Sequence, residues 1–328
     1  MRIAVTGSIA TDHLMVYPGR FTDQLLPDQL DRVSLSFLAD ELEIRRGGVA
    51  ANIALGLGRL GITPLLAGAV GADFEDYRTW LHGNGVDTSL VLVSDSLHTA
   101  RFVCTTDSEQ NQIATFYAGA MAAAREISLG PAAAQPGGLD LVVVAPNDPD
   151  AMLRHTEECR SLGIPFAADP SQQLARLSGE KARELVDGAL FLFTNEYEAA
   201  LLQQLTGWDK VEILGRVGSW ITTLGSEGAS VERAGEPPLR IAAVATTAIA
   251  DPTGAGDAFR SGFLAGIAWQ WPFERAAQLG CAIATVVLES VGTQEYKLSA
   301  ADLILRIEHA YGRVVAQDIE TRLRESAV

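Results

Sequence analysis

The segment DPTGAGDAFRSGFLAG, residues 251–266, carries the strongest chemical pattern in the chain. Gly254 and Gly256 form a glycine-rich turn, and Asp257 follows at the start of a predicted helix. Glycine lets the backbone approach a ligand closely, and free N–H groups at a helix N-terminus stabilise the negative charge that grows on a transferring phosphoryl group. Asp257 stands where a general base would be needed. Taken alone, the pattern favours a simpler alternative in which Asp257 only caps the helix.

A second glycine motif, RRGGVAANIALGLGRLG, spans residues 45–61 and predicts a helix that begins just after a glycine pair. Without a Cβ at Gly47 and Gly48, the chain can pass close to a polyhydroxyl ligand, and the amide of Asn52 offers a donor and an acceptor to a ribose. A simple glycine turn before a helix explains the motif equally well.

The same segment also spells GxGxxG at Gly56, Gly58 and Gly61, the fingerprint of dinucleotide-binding proteins. In that fingerprint the glycines directly follow a strand and open the helix. Here they fall inside a helix that has already begun. The spacing therefore argues against a nicotinamide-dependent oxidoreductase.

The segment TNEYEAALLQQLTG, residues 194–207, follows an apolar strand and begins a predicted helix. Asn195 and Glu198 lie three residues apart, so both point to one face of that helix. Such a pair can hold the water shell of a Mg²⁺ that bridges phosphates. The alternative is a pair that only caps the helix.

Two shorter segments end apolar strands with polar or glycine residues. In TTLGSEGA, Thr223, Gly225 and Gly228 form a turn that could wrap an adenine nucleotide. In GSIATDH, Ser8 and Asp12 follow the first strand, where a carboxylate could accept both hydroxyls of a vicinal diol. An ordinary turn is the alternative for Asp12. No GxxxxGK[ST], HExxH, GxSxG or protein-kinase signature occurs, so phosphoryl transfer would need a different phosphate cradle.

Strands and helices alternate along most of the chain. Short apolar runs such as RIAVTG, DLVVVAP and ALFLFTN are separated by helix-period segments, which predicts a mostly parallel sheet covered on both faces. Polar residues should then gather at the C-terminal ends of the strands. From residue 255 onward the sequence predicts helices joined by short turns.

Two stretches, residues about 12–46 and 97–118, interrupt this alternation. In the second, TARFVCTT and QIATFYAG flank a polar DSEQN turn, which predicts a β-hairpin with Phe102 opposite Phe116 on one face. Together the two insertions are expected to form a small β-rich lid on a single domain of residues 1–328. The two rings could equally serve only to pack the lid onto the body.

Composition excludes several classes of protein. The chain has 328 residues, with 41 Asp plus Glu against 25 Lys plus Arg, so its net charge of −16 disfavours nucleic acid as a partner. Cys104, Cys159 and Cys281 are widely separated and form no CxxC pair, which indicates neither a disulfide framework nor a zinc site. The first residues form a strand, and no apolar run reaches about 18 residues, so we expect a cytoplasmic protein without a membrane partner.

The motifs GGVAANIA, NEYE and DPTGAGDAF, in this order and spacing, resemble the ribokinase (PfkB-type) family of carbohydrate and nucleoside kinases. More narrowly, TGSIATDHLM, HTARFVCTTD, FAADPSQQLARLSGE and LESVGTQE are similar to the adenosine kinases of mycobacteria and related actinobacteria within that family. The resemblance implies a three-layer α/β fold, a β lid over the active site, ATP and Mg²⁺ as cofactors, and a homodimer in which the lids meet. It implies transfer of the ATP γ-phosphoryl group to the 5′-hydroxyl of adenosine, a purine-salvage reaction.

Residue roles follow from the same resemblance. Asp257 is implied as the base, with Gly254, Ala255 and Gly256 as the anion hole. Asn195 and Glu198 are implied as the residues that organise the metal. The nucleoside site is implied to comprise Ser8, Asp12, Ser36, Gly48, Asn52, Phe102, Phe116, Gln172, Gln173 and Arg176. The ATP site is implied to comprise Asn195, Thr223, Gly225 and Gly228.

Many members of this family are activated by K⁺, and the corresponding loops here contain Asp251, Thr253, Val287, Ser290 and Gly292. Pro252 departs from the family pattern, because proline removes a backbone donor from this loop and could alter the cation site. Three alternatives to an adenosine kinase stay open at this point. They are a kinase of another nucleoside or of a sugar such as ribose or fructose, a non-catalytic nucleotide sensor, and the disfavoured oxidoreductase.

Overall fold

The computed structural model describes residues 1–25, 32 and 34–325, and within them the chain forms thirteen strands and eleven α-helices. The strands are β1 (Ile3–Thr6), β2 (Ala10–Val16), β3 (Glu41–Gly47), β4 (Leu65–Gly71), β5 (Asp87–Ser94), β6 (Ala100–Thr106), β7 (Gln112–Tyr117), β8 (Leu141–Val144), β9 (Phe166–Ala168), β10 (Phe191–Asn195), β11 (Ser219–Thr223), β12 (Ala229–Glu232) and β13 (Leu239–Ile241). The helices are α1 (Val49–Arg59), α2 (Glu75–Gly83), α3 (Gly130–Ala133), α4 (Pro149–Leu162), α5 (Gly179–Val186), α6 (Glu196–Thr206), α7 (Lys210–Leu214), α8 (Ala255–Ala268), α9 (Phe273–Leu288), α10 (Ala300–Tyr311) and α11 (Arg313–Glu325).

The main sheet has nine strands in the order β13-β12-β11-β10-β9-β8-β1-β4-β5. All neighbours from β5 to β11 pair in parallel, whereas β12 and β13 are antiparallel at one edge. The prediction of a mostly parallel sheet is therefore confirmed. The parallel strands inside the sheet are almost fully buried, because helices cover both faces, whereas β5 at the edge is partly exposed.

Side chains of β1 show how the three layers are built. Ile3 and Val5 pack into a core cluster on one face of the sheet with residues of α1, α8 and α9. Ala4 points to the other face and packs into a second cluster with residues of α4 and α5. Because successive strand residues alternate between faces, a continuous apolar run supplies both clusters. The predicted three-layer α/β fold is confirmed.

A second, four-stranded sheet with the order β3-β2-β6-β7 is hereafter called the small sheet. Its strands β6 and β7 form an antiparallel hairpin in which Phe102 lies opposite Phe116, as the alternating sequence predicts. Asp12 pairs with Phe102 on one side and Arg45 on the other. These four side chains therefore share one face of the small sheet.

Helices α8 and α9 pack closely against each other through glycine. A Cβ placed on Gly262 would lie 2.7 Å from the Cα of Gly280 and 2.9 Å from its nitrogen. Small residues at this crossing let the two backbones meet, and this contact holds α8 behind the sheet. Among residues 1–25, 32 and 34–325, no helix combines the length and apolar character needed to cross a bilayer.

We expect Gly262→Ala to destabilise the protein by about 1–3 kcal/mol, because the added methyl group would overlap backbone atoms that cannot move independently. Gly83→Ala is the matched control, since a Cβ at this last residue of α2 would meet nothing within 4 Å. The control should be neutral or stabilising by a few tenths to about 1 kcal/mol. Urea unfolding of both variants measures the difference, and equal stabilities would contradict the tight α8–α9 contact.

Candidate active site

The predicted polar residues gather where the parallel strands end. Ser8 follows β1, Asn195 ends β10, and Thr223 ends β11. The N-terminus of α8, with Asp257 in its first turn, faces the same edge of the sheet. Parallel strands place all their C-terminal ends at one edge, which is where ligands bind in open α/β sheets.

Asp257 lies between two cavities and lines both of them. The larger has a volume of about 530 Å³ and is lined by Asn195, Glu198, Thr223, Gly225 and other residues of the β10 and β11 ends. We call it the nucleotide cavity, because it contains residues that the sequence predicts to bind ATP. The smaller, of about 380 Å³, lies beside the small sheet and is called the acceptor cavity. Asp257 is therefore placed to contact a molecule in either cavity.

The environment of Asp257 suits a general base. Its side chain is partly exposed because it faces the cavities, but the surrounding protein removes much of its hydration, which raises its pKa to about 6. The positive charge of Arg260 and a 2.9 Å hydrogen bond donated by Nδ2 of Asn52 oppose this rise. A carboxylate whose pKa approaches neutrality is ionised at pH 7 and accepts a proton more readily than an exposed one.

The turn before α8 leaves backbone donors free. Gly254 is the N-cap residue and adopts a left-handed conformation with φ of 80°, which glycine tolerates at no steric cost. A Cβ there would also lie 2.9 Å from the methyl group of Thr293. Among the described residues, no acceptor bonds the N–H groups of Gly256 and Asp257. These donors at a helix N-terminus form an anion-binding site.

Asn52 is oriented by residues whose roles the sequence did not reveal. Its Oδ1 accepts hydrogen bonds from Thr293 Oγ1 at 3.1 Å and Gln294 Nε2 at 2.8 Å. Both bonds force Nδ2 toward Asp257. The structure thus makes Asn52 a partner of the predicted base, whereas its predicted contact with ribose stays a prediction. Thr293 and Gln294 fall in the LESVGTQE segment, which carries no chemical motif of its own.

The acceptor cavity brings together most of the residues predicted to bind a nucleoside. Ser8, Asp12, Gly48, Asn52, Phe116, Gln172, Gln173 and Arg176 line it. Phe102 pairs with Phe116 but does not line the cavity, and Ser36 is exposed in the segment between β2 and β3. Burial raises the pKa of Asp12 to about 6, against the opposing charge of Arg45.

Asn195 and Glu198 form a capping box at the start of α6. Asn195 Oδ1 accepts a hydrogen bond from the Glu198 N–H at 2.8 Å, and Glu198 Oε2 accepts one from the Asn195 N–H at 2.7 Å. Glu198 Oε1 contacts the Ser171 hydroxyl at 3.2 Å in the wall of the nucleotide cavity. The geometry is therefore compatible with a helix cap and with a metal-organising pair, because the side chains of Asn195 and Glu198 cap α6 and also line the cavity. Their oxygen atoms fit part of a metal site completed by phosphates and water, and no group of three acidic, Cys or His residues suited to a metal occurs in the described chain.

Of the three glycine and threonine residues predicted to bind ATP, Thr223 and Gly225 line the nucleotide cavity and Gly228 does not, and their contact with ATP stays a prediction. Gly228 has φ of 96°, and a Cβ there would lie 2.0 Å from the carbonyl oxygen of Ile241. Glycine is required there because Gly228 ends the turn between β11 and β12, where the backbone passes closely against the end of β13.

The five residues predicted to hold K⁺ lie in the loop before α8, in the last turn of α9 and in the loop that follows α9. The Asp251 carboxylate accepts hydrogen bonds from the N–H groups of Thr253 at 2.9 Å and Gly292 at 3.1 Å, and Val287 O accepts one from Ser290 N at 3.0 Å. Nη1 of Arg45 lies 4.0 Å from Asp251 Oδ2. The two hydrogen bonds leave lone pairs on this carboxylate, and its role in holding K⁺ stays a prediction.

Comparison with known proteins places this geometry in a family. Residues 6–300 match the model of the pfkB family of carbohydrate kinases. The chain belongs to the pfkB family. A nucleoside kinase from Methanothermobacter thermautotrophicus is 31% identical over 87% of the chain and 92% of its own length.

Solved structures agree with that assignment to the pfkB family. The nucleoside kinase of Burkholderia thailandensis in complex with inosine is 33% identical, covers 94% of the chain and 98% of its own, and gives a TM-score of 0.81. The structure of the same kinase in complex with ADP-inosine gives a TM-score of 0.79 at 35% identity. It covers 94% of the chain and 96% of its own. The nucleoside kinase of Methanocaldococcus jannaschii, described as an archaeal member of the ribokinase family, is 26% identical with a TM-score of 0.81, covering 94% and 99%. The fold is ribokinase-like.

We expect Asp257→Asn to stabilise the protein by about 1–3 kcal/mol at about pH 8. The pKa of Asp257 is raised, so the folded state holds the proton more tightly than the unfolded state and loses stability as the pH rises through about 6. The asparagine variant lacks this loss, and its advantage should shrink to a few tenths of a kcal/mol by about pH 4, close to the pKa of an unfolded aspartate, and vanish below that pH.

Urea unfolding from about pH 4 to about pH 8 measures this difference. Asp95→Asn, in the exposed turn between β5 and β6, controls for the loss of one negative charge. A variant that is less stable than the wild type at the upper end of the range would show that Asp257 is stabilised as a carboxylate.

Proposed function

We propose that this protein is an ATP-dependent nucleoside kinase that transfers the γ-phosphoryl group of ATP to a nucleoside 5′-hydroxyl. The observation that carries the proposal is the position of Asp257 in the walls of both cavities, beside the free N–H groups of α8. One cavity would hold ATP and the other the nucleoside. Membership of the pfkB family and the nucleoside kinases among its relatives support this arrangement.

Adenosine is the substrate that we propose, with another nucleoside such as inosine as the alternative. Phe116 lines the acceptor cavity and is half exposed, so its ring is available to stack on a base. Gln173 lines the same cavity, and its Oε1 is buried without a donor among the described residues. A buried acceptor of this kind favours a ligand that supplies an N–H or O–H group. The inosine complex of the Burkholderia relative supports a purine nucleoside.

In the proposed reaction, the 5′-oxygen attacks the γ-phosphorus, the bond from that phosphorus to the bridging oxygen of ADP breaks, and Asp257 accepts the hydroxyl proton. Asn52 holds the Asp257 carboxylate in place through its 2.9 Å hydrogen bond. The N–H groups of Gly256 and Asp257 would bind the charge on the phosphoryl oxygens. A Mg²⁺ held through Asn195 and Glu198 would neutralise phosphate charge when bound. We assign no step to K⁺.

We further propose that the small sheet is a lid and that two copies of the chain associate through its outer face. By the register of the strands, Leu42, Ile44, Ile113 and Tyr117 lie on the face opposite to Asp12 and Phe116, and all four are 42–60% exposed. Exposed apolar side chains grouped in this way are typical of an interface. Such an association would leave the site-facing side of the lid free to close over the acceptor cavity.

The test is an ADP-release assay with MgATP and adenosine, inosine, guanosine, cytidine, ribose or fructose, each with and without K⁺. We expect rapid turnover of adenosine and a kcat lower by at least about 10²-fold for Asp257→Asn with nucleoside affinity largely retained. Faster turnover of inosine than of adenosine would make inosine the proposed substrate. Faster turnover of ribose or fructose would refute the proposal that the acceptor cavity binds a nucleoside. No turnover with any acceptor would favour a nucleotide sensor.

We expect Phe116→Ala to raise the KM for adenosine about 10-fold or more, because stacking of a base on an aromatic ring contributes about 1–3 kcal/mol. Turnover of ribose, where measurable, should not change, since ribose has no base. Thr115→Ala, on the opposite face of β7, is the control. An unchanged KM for adenosine would place the base elsewhere in the acceptor cavity.

A further inference from the structure

Arg260 is the one positively charged side chain among the described residues that line the nucleotide cavity. The same wall contains three carboxylates, those of Glu196, Glu198 and Asp257. A nucleoside triphosphate adds several more negative charges to this space. The position of Arg260, one helical turn after Asp257 on α8, therefore has a direct bearing on phosphate binding.

The guanidinium group of Arg260 is held rigidly. Nη2 donates a hydrogen bond to Asp169 Oδ1 at 2.7 Å, and Nε lies 2.6 Å from Asp169 Oδ2. The guanidinium carbon also lies 5.7 Å from the ring centroid of Phe193 on β10. Asp169 follows β9 and is completely buried, so the pair joins α8 to the end of the sheet. Only the Nη2 contact is a hydrogen bond, but the two contacts and the planarity of the guanidinium together set the direction of the remaining nitrogen, Nη1.

Nη1 lies against the first turn of α8. A Cβ placed on Gly256 would be 2.9 Å from it, so the absence of a side chain at Gly256 leaves room for the guanidinium. No acceptor for Nη1 exists among the residues that the structure describes. The side chain of Arg260 is 7% exposed, and Arg260 is part of the cavity wall. A cavity-lining guanidinium nitrogen without an acceptor, placed beside free helix N–H groups, is suited to bind an anion.

We propose that Arg260 binds the phosphoryl group during transfer through Nη1, and that Asp169 is a positioning residue that aims the guanidinium at the N-terminus of α8. This inference rests on the proposed kinase function and adds a side chain to the anion site formed by backbone N–H groups. It also gives a reason for the fully buried carboxylate of Asp169. On the other side of Asp257, Arg176 lines the acceptor cavity, so arginines flank the base from both cavities.

A purely structural role for the Asp169–Arg260 pair predicts a different result from the same variants. Removing one partner of a buried ion pair is strongly destabilising, because a charge is left unpaired, whereas removing both charges is often nearly neutral. If the pair only stabilises the fold, activity should therefore follow stability. If Arg260 binds phosphate, activity should stay low after stability returns.

The experiment compares wild type, Arg260→Gln, Asp169→Asn and the double variant Asp169→Asn/Arg260→Gln by unfolding midpoint, nucleoside and ADP affinity, and turnover with MgATP. We expect Arg260→Gln to lose stability and at least about 10²-fold in kcat, the usual effect of one oxyanion donor. The double variant, in which two amides can bond each other, should recover the midpoint and bind nucleoside and ADP normally, but stay as slow as the single variant.

Recovery of kcat to within about threefold of wild type in the double variant would overturn the phosphate-binding role, as would near-normal turnover in Arg260→Gln itself. Asp169→Asn retains the arginine, so it should lose less activity than either variant that lacks Arg260. A wild-type protein that phosphorylates no nucleoside would instead refute the proposed function, and the two failures are thus distinguishable.

Discussion

The carboxylate of Asp257 must be partly desolvated to act as a base near neutral pH, and a desolvated carboxylate needs polar partners. Asn52 is such a partner, but its amide donates to Asp257 only because Thr293 and Gln294 occupy its oxygen. The Gln294 amide also contacts the Tyr77 hydroxyl, which donates to the carbonyl of Gly47 at 2.8 Å. One carboxylate thus determines how α1, α2, α8 and the 293–294 loop meet.

The sheet places these segments where their polar groups can converge. Ser8 follows β1 near the centre of the sheet, and Asn195 and Thr223 are the last residues of β10 and β11, which lie further toward one edge. The first of these lines the acceptor cavity and the other two line the nucleotide cavity. Helix α8 lies behind the strands, so its N-terminus reaches the boundary between the cavities. Close packing of Gly262 on Gly280 keeps it there.

Features with a local signature could be predicted from the sequence. The alternation of apolar runs and helices predicted the parallel sheet, and period-two alternation around DSEQN predicted that Phe102 faces Phe116. The glycine turn before Asp257 was also visible, because its residues are neighbours in the chain. By contrast, Asn52 and Asp257 are 205 residues apart, and Asp169 and Arg260 are 91 apart. No period or spacing rule connects such pairs, since only the packing of the layers brings them together.

The net charge of −16 repels anionic ligands, and the site has to offset this repulsion locally. An acidic surface slows the approach of a polyanion such as ATP, and the three carboxylates in the nucleotide cavity add to the repulsion at close range. Attraction must then come from groups within a few ångströms of the phosphates, where Coulomb energies in a desolvated site exceed those of distant surface charges. In the proposed function these are the helix N–H groups, a bound Mg²⁺ and Arg260. Because Asp169 neutralises part of the arginine's charge while fixing its direction, the arginine would contribute more through geometry than through net charge.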